Sequence, residues 1–348
     1  MRIIQFLDDQ AKPHVGIRDQ EQILDLTALE PTWNSTYALF QNAYREQVTI
    51  TELVNPRLEH APRSPFPYQQ LWEAIPGSTH PCLLPPLTHQ DPYRVWISGT
   101  GLTHTGSMQS RDQMHGGDQQ QSSEPETDSA RMFAMGVAGG QPVPGQRGTA
   151  PEWFYKGNGL MLRGHRQPLD IPAFARDGGE EPELVGCYII DPTGTPRRLG
   201  FCLGNEWSDH ATETINYLYL APSKLRSCSV GPELNLNCTF EDLTLRCVVE
   251  RDSRLLYDSG ELKSGELFMC HSLANCEDHH FKYPQHRQPG DVHLHFFGTS
   301  KLSHSTRNWK YQAGDVIRIE ADEVSNPLVN HVATTASEAT LPITVKRI

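Results

Sequence analysis

Two carboxylates at i and i+2, Glu181 and Glu183, stand at the head of an apolar run over residues 185–190, and a third, Glu206, follows a second run over 199–203. Residues i and i+2 of an extended chain point to one face, so Glu181 and Glu183 can converge on one cation. Between the runs, Asp191-Pro192-Thr193-Gly194-Thr195-Pro196 is a strong turn signal. The pattern therefore predicts a hairpin that brings Glu206 back beside the pair. Three hard carboxylate oxygens suit Mg²⁺, with Mn²⁺ or Ca²⁺ as alternatives, better than a metal that prefers thiolates. The competing reading is a solvated acidic turn, because Glu-x-Glu alone recurs by chance.

Other residues could serve such a centre. His104 sits in a Gly/Thr/Ser-rich loop behind an apolar strand expected over 94–99, which is a common setting for a catalytic base and also for an ordinary polar loop. Lys156 ends the aromatic run Trp153-Phe154-Tyr155 and in isolation reads as a snorkelling surface lysine. Lys224 and Arg226 end a second apolar run. Near a carboxylate-bound cation, such a lysine can hold a substrate carboxylate or stabilise an enolate. His293 and His295 share one strand face and form a rival metal pair. The following Gly298-Thr299 turn is preferred as the functional element, presenting an N–H and a hydroxyl to an anion, since no third His or Glu stands at a cupin-like spacing. His279-His280 reads as a polar surface loop.

The elements that must position these groups are mostly strands. The chain has 348 residues, enough for one large domain and a smaller one. With 30 Lys+Arg against 42 Asp+Glu the net charge is −12, which argues against nucleic-acid or anionic-membrane binding. The N-terminus turns acidic too early for a signal peptide, and no apolar run reaches transmembrane length, so a cytoplasmic protein is expected. Eight cysteines form no C-x-x-C pair, which removes zinc-ribbon and thioredoxin readings.

Residues 1–90 read as a small α+β N-terminal domain with strands over 2–7 and 14–17 and helices over 36–46 and 68–75. The Pro-punctuated stretch 81–87 marks its boundary, and residues 91–348 form a mostly-β catalytic domain. Within it, residues 113–129 carry hardly any apolar side chain, and a short helix follows over 130–137. That arrangement predicts a mobile lid over 113–150. Alternation over 243–251, followed by 254–258, predicts a further hairpin.

Taken in order, His104, Phe154-Tyr155-Lys156, Glu181-Pro182-Glu183, Gly200 through Asn205-Glu206, Ser223-Lys224, and Gly290-Asp291-Val292 with Gly298-Thr299 resemble the fumarylacetoacetate hydrolase superfamily. The likeness covers roughly residues 90–335, and Ser208-Asp209-His210 resembles its GguC-like sugar-acid branch. Two positions depart from the family pattern: Glu206 stands where most members have Asp, and Gly157 follows Lys156 where Pro is usual. The resemblance implies a mixed β-roll, a homodimer, and a Mg²⁺-dependent reaction on a small 2-oxo acid. The cation would rest on Glu181, Glu183 and Glu206, and His104, Lys156 and Lys224 would be catalytic. Gly298, Thr299, Arg111 and Arg226 would bind substrate. For a 2-keto-3-deoxypentonate the expected outcome is dehydration to 2-oxoglutarate semialdehyde. C–C hydrolysis of an acylpyruvate or diketo-deoxy sugar acid uses the same centre, and a non-enzymatic sugar-acid-binding protein on the same fold is the third reading.

Overall fold

The computed structural model describes residues 1–77, 81–106, 127–335 and 342–348. Arg2–Leu7 (β1), Pro13–Asp19 (β2) and Gln22–Asp25 (β3) form an antiparallel meander, and Cys82–Leu84 (β4) returns to β1. Helix Thr36–Glu46 has the expected bounds: the Ser35 side chain accepts from the Ala38 N–H, and Gln47 leaves in the left-handed conformation. Helix Ile50–Val54 opens with a reciprocal cap between Thr49 and Glu52. Both helices bury their apolar faces, Leu39, Ala43, Leu53 and Val54 among them, on Ile3 and Val15 of the meander.

The remaining strands are Val95–Gly101 (β5), Glu152–Asn158 (β6), Leu162–Arg163 (β7), Leu169–Ile171 (β8), Pro182–Ile190 (β9), Pro196–Asn205 (β10) and Cys228–Asn235 (β11). They continue with Leu243–Arg251 (β12), Arg254–Asp258 (β13), Leu262–Ser264 (β14), Val292–Phe296 (β15), Val316–Ala321 (β16) and Ser325–Thr334 (β17). The larger sheet runs β3-β2-β1-β11-β10-β9-β15-β5-β6, with β4 on β1 and β7 on β11. Its β15–β5 pair is parallel and its β9 neighbours are antiparallel, so the sheet is mixed. The smaller sheet runs β13-β12-β16-β17-β8, with β14 on β12, and contains the expected β12–β13 hairpin. This is the strand-rich α+β architecture anticipated above.

The N-terminal segment and the rest of the chain share one sheet. Arg2 lies opposite Asn235 and Ile3 opposite Leu234, and the Leu236 N–H donates to the Met1 carbonyl at 3.0 Å. Strand β9 stands near the middle and is buried along its whole length. Its Val185, Cys187 and Ile189 pack into the core that includes the N-terminal helices. Leu184, Tyr188 and Ile190, on the other face, pack into the core under the smaller sheet. Burial on both faces explains why the run over 184–190 is apolar without alternation.

Candidate active site and metal centre

The predicted hairpin exists. In the β9–β10 pair Glu183 faces Gly204, and the Glu206 N–H donates to the Glu181 carbonyl at 3.0 Å. Glu181 precedes β9, Glu183 lies within it and Glu206 follows β10, so the three side chains converge from the open end of the hairpin. One oxygen from each lies within 4.8 Å of the others, and all three residues are buried. A solvated acidic turn is thereby excluded. Among the described residues no other group of three or more His, Cys, Asp or Glu side chains meets this spacing.

Two buried lysines compensate the carboxylates. The Lys224 ammonium donates to Glu181 Oε1 at 2.6 Å, Glu206 Oε2 at 2.7 Å and Ser208 Oγ at 3.1 Å. Lys156 lies 2.8 Å from Glu206 Oε1 and donates to the carbonyls of Trp207 and Lys224. Alternation along β6 turns Phe154 and Lys156 inward and Trp153 and Tyr155 outward, so Lys156 is fully buried and does not snorkel. Phe154 adds its ring 4.9 Å from the Lys224 ammonium.

Burial works against charge at Lys224 and at the three carboxylates, and the neighbouring charges decide the outcome. For Lys224 burial is outweighed by Glu181 and Glu206, which hold the ammonium more firmly protonated than usual. Burial likewise opposes ionisation of Glu181, yet the Lys224 charge keeps its carboxyl below the ordinary range. Glu183 is pushed well above it, first by burial and then by the charges of Glu206 and Glu181. Like charges crowded in a dry site are relieved by a cation. The oxygen-only donor set therefore fits a hard divalent metal.

Gly298 and His104 adjoin this centre. The Gly298 N–H donates to Glu183 Oε2 at 2.7 Å, so the expected anion-facing amide is taken by a carboxylate of the centre itself. Gly298 has φ of 89°, and a Cβ there would stand 2.3 Å from Thr103 Oγ1 and 3.6 Å from His104 Nδ1, so only glycine fits. Thr299 is buried, and its hydroxyl donates to the Lys301 carbonyl at 3.1 Å. The Thr103 hydroxyl gives its one hydrogen to the Phe297 carbonyl at 2.6 Å and so accepts from His104 Nδ1 at 3.0 Å. That leaves His104 Nε2 as the basic nitrogen, 3.2 Å from Ser264 Oγ. Burial lowers the pKa of His104 to about 4, so the ring is neutral at pH 7. His104, Gly106, Gln141, Met269, Ser300 and Lys301 line part of a cavity of about 780 Å³, whose walls do not include the three carboxylates.

Other expected residues lie elsewhere or are engaged. Arg226 is buried, donating to the Asp177 carbonyl at 2.9 Å and to Asp209 Oδ2 at 3.2 Å. Arg111 and residues 113–126 of the expected lid lie outside the described residues. The helix behind them spans Asp128–Gly139, capped by Thr127, and Gly136 packs beside Cys270 and His271. His279-His280 is not a surface loop: both residues are on helix Leu273–Phe281 and are buried. His280 Nε2 lies 2.9 Å from His293 Nδ1, because Phe281 and Cys276 of the same helix anchor it in the core.

Two supports escaped sequence reasoning. His210 Nε2 lies 2.8 Å from Glu181 Oε1, the oxygen that Lys224 also holds. Glu180 accepts from the Ser303 N–H at 2.6 Å, the Ser303 hydroxyl at 2.8 Å and the Tyr311 hydroxyl at 2.6 Å. It thereby ties the loop that carries Gly298 to the hairpin. The adjacency of Glu180 to Glu181 was the available signal, since neighbours in an extended chain point to opposite faces.

This chain has the fold of the fumarylacetoacetate hydrolase superfamily. No protein-family model matches it. The structure of a 2-keto-3-deoxy-D-arabinonate dehydratase complexed with magnesium and 2,5-dioxopentanoate is similar at a TM-score of 0.67 and 16% identity, over 96% of this chain and 99% of that one. A maleylpyruvate hydrolase from Sphingobium sp. SYK-6, in complex with manganese(II) and pyruvate, is similar at a TM-score of 0.58 and 14% identity, over 97% and 100% of the two chains. In sequence, a Haloferax volcanii protein named "Probable 2-keto-3-deoxyxylonate dehydratase" is 29% identical over 149 residues, 39% of this chain. The match spans 47% of that relative's length, about half.

Proposed function

We propose that the chain is a Mg²⁺-dependent dehydratase that converts a 2-keto-3-deoxypentonate to 2-oxoglutarate semialdehyde. The observation that carries this reading is the buried convergence of Glu181, Glu183 and Glu206 with Lys224 and Lys156. Support comes from the solved dehydratase of this fold, whose bound 2,5-dioxopentanoate is 2-oxoglutarate semialdehyde under another name. Glu181, Glu183 and Glu206 would hold the cation, with Mn²⁺ or Ca²⁺ as alternatives. A bound divalent ion supplies Lewis-acid polarisation of the substrate's carboxylate and 2-oxo oxygens, which acidifies the C3 proton.

The chain's own groups supply the rest. Lys224 contributes positive charge where the 2-oxo oxygen gains negative charge. Lys156 opposes the protonation that burial and Glu181 favour at Glu206, and holds that carboxylate in place. His104, neutral at pH 7, accepts a proton at Nε2 beside the cavity. Overall one water leaves, taking the C4 hydroxyl, and the C5 carbinol carbon becomes the aldehyde carbon. Val137 of helix Asp128–Gly139 lines the cavity beside His104, and in this reading the helix would cover the approach and exclude water, which favours elimination over hydrolysis. A cytoplasmic homodimer belongs to the same reading, and its mass is checked by light scattering.

The deciding experiment incubates the stereoisomeric 2-keto-3-deoxypentonates with Mg²⁺, and again after EDTA, and follows the semialdehyde. Metal-dependent product from one of them supports the proposal. Cleavage of acylpyruvates to pyruvate with no semialdehyde from any pentonate replaces it with hydrolysis.

A further inference from the structure

Glu183 and Glu180 clamp one loop at both of its ends. The Gly298 N–H donates to Glu183 Oε2 at 2.7 Å, and the Ser303 N–H donates to Glu180 Oε1 at 2.6 Å. Between them the buried Thr299 hydroxyl donates to the Lys301 carbonyl at 3.1 Å, so the backbone that carries Lys301 is fixed with respect to the carboxylate centre. The His104 loop leans on the same segment: a Cβ on Gly106 would stand 2.5 Å from the Ser300 carbonyl oxygen. His104 and Lys301 are thereby held on one cavity, of about 780 Å³, to which the buried Leu262 and Met269 give an apolar wall. The other charged residues lining it, Glu261 and Lys263, are both exposed, and Lys263 donates to Thr244 Oγ1 at 3.0 Å and lies 3.5 Å from Asp242. Lys301 differs from both. It is half-buried and gives one hydrogen to the Ser259 carbonyl at 3.3 Å, and among the described residues no carboxylate pairs with it. An ammonium has three hydrogens to give, so two are not engaged by the described residues.

Resting on the metal-dependent 2-oxo acid reading above, we infer that Lys301 binds the far end of the substrate and opens this centre to a second substrate class, 2-oxo acids that end in a second carboxylate. A 2-oxo acid whose head group rests on the carboxylate centre leads its other end away from it, and the cavity beside His104 receives that end. A pentonate offers the ammonium a terminal hydroxyl, which makes an ordinary hydrogen bond. A distal carboxylate makes a charge-assisted one, about twice as strong. Lys301 is thus a specificity-determining residue, and it grades substrates by what they carry at the end remote from the metal.

The test is calorimetric titration of matched 2-oxo acids into the full chain with saturating Mg²⁺: 2-oxoglutarate against 2-oxopentanoate, and 2-oxoadipate against 2-oxohexanoate. The members of a pair differ in the distal carboxylate, and none carries a C4 hydroxyl to lose, so dehydration does not intervene. In the wild type the dicarboxylate of at least one pair is expected to bind tighter by about tenfold or more. Lys301→Met keeps the aliphatic stem and removes the charge, and that ratio should then fall below about threefold. Lys263→Met should keep the ratio. Chelation of Mg²⁺ in solution is common to all three proteins and cancels in the comparison. Equal affinities within both pairs, no binding of either dicarboxylate, a ratio undiminished in K301M or a ratio lost in K263M overturns the inference. If K301M does not fold, Lys301→Gln is read by the same criteria. A distal-carboxylate preference that depends on Lys301, in a protein that dehydrates no 2-keto-3-deoxypentonate, overturns the proposed reaction and leaves the inference standing. Dehydration of a pentonate without that preference does the reverse.

Discussion

On one side of the larger sheet Glu181, Glu183 and Glu206 are buried with Lys156 and Lys224, and on the other the buried rings of His280, His286, His293 and His295 pack against Trp96, Trp153 and Ser98. Alternation along β9 and β15 separates them: Glu183 shares the face of Val185 and Phe296, whereas His293 packs on Phe281. Both sets are shielded from water, yet they resolve the cost differently. Glu181 keeps its charge because the Lys224 ammonium lies against it, whereas burial and like-charged neighbours favour the neutral form of Glu183. Three of the histidines lose charge: burial first, and then the neighbouring rings, push His280 well below its ordinary pKa, and burial takes His293 and His295 to about 3. The Trp153 N–H donates to His280 Nδ1 at 3.2 Å, so His280 Nε2 carries the hydrogen given to His293. Burial alone therefore does not mark a site. Three carboxylates crowded onto one point in a dry volume do, because their mutual repulsion is relieved by a bound cation.

The largest effect expected from breaking this contrast is on turnover. Glu183→Gln should lower Mg²⁺-dependent activity by about 10³-fold or more while the melting temperature holds, because the amide can still accept from the Gly298 N–H and removes a like charge. His295→Asn, on the other face, should leave turnover within about threefold. Parallel activity and thermal-melt measurements check both.

Stability against pH should report the histidine face. Because these rings titrate lower in the folded chain than in the unfolded one, the unfolded chain takes up protons first on acidification. Stability is then complete above about pH 6.5 and is lost as the pH falls towards 3, by ~2 kcal/mol per ring at pH 5 for His293 and His295. Denaturant unfolding from pH 7 to 5 measures the slope, and the His293→Gln, His295→Gln double variant should flatten it.

Metal should act on the carboxylate face alone. At about 100 times its dissociation constant Mg²⁺ should raise unfolding stability by ~2.7 kcal/mol, and E183Q should erase that gain without changing the acid slope. Tyr311→Phe should have the smallest effect, about 1 kcal/mol by denaturant unfolding, since Glu180 keeps both bonds from Ser303.

What the sequence made legible was local. The i, i+2 rule placed Glu181 and Glu183 together, and the turn at 191–196 returned Glu206 to them. The cap at Ser35 lies where the helix over 36–46 was expected to begin. Lys156 was half legible: Phe154 and Lys156 keep inward parity, but the aromatic residues on both faces of β6 mask it. The long-range pairings were hidden, since no periodicity states that β1 will meet β11, that helix Leu273–Phe281 will bring His280 onto His293, or that Glu180 will reach Tyr311. Arg226 misled for the same reason, because its carboxylate partner Asp209 is fixed by the fold and not by spacing.

The union of β1 with β11 also has a consequence in time. Strand β1 is synthesised first, but its partner in the sheet ends at residue 235. At roughly 5–20 residues per second, roughly 10–50 s pass between the two on the ribosome. During that interval the apolar Ile3, Ile4 and Phe6 have only β2, β4 and the early helices for cover. The N-terminal meander thus serves as a waiting structure for a nascent chain whose central sheet closes late.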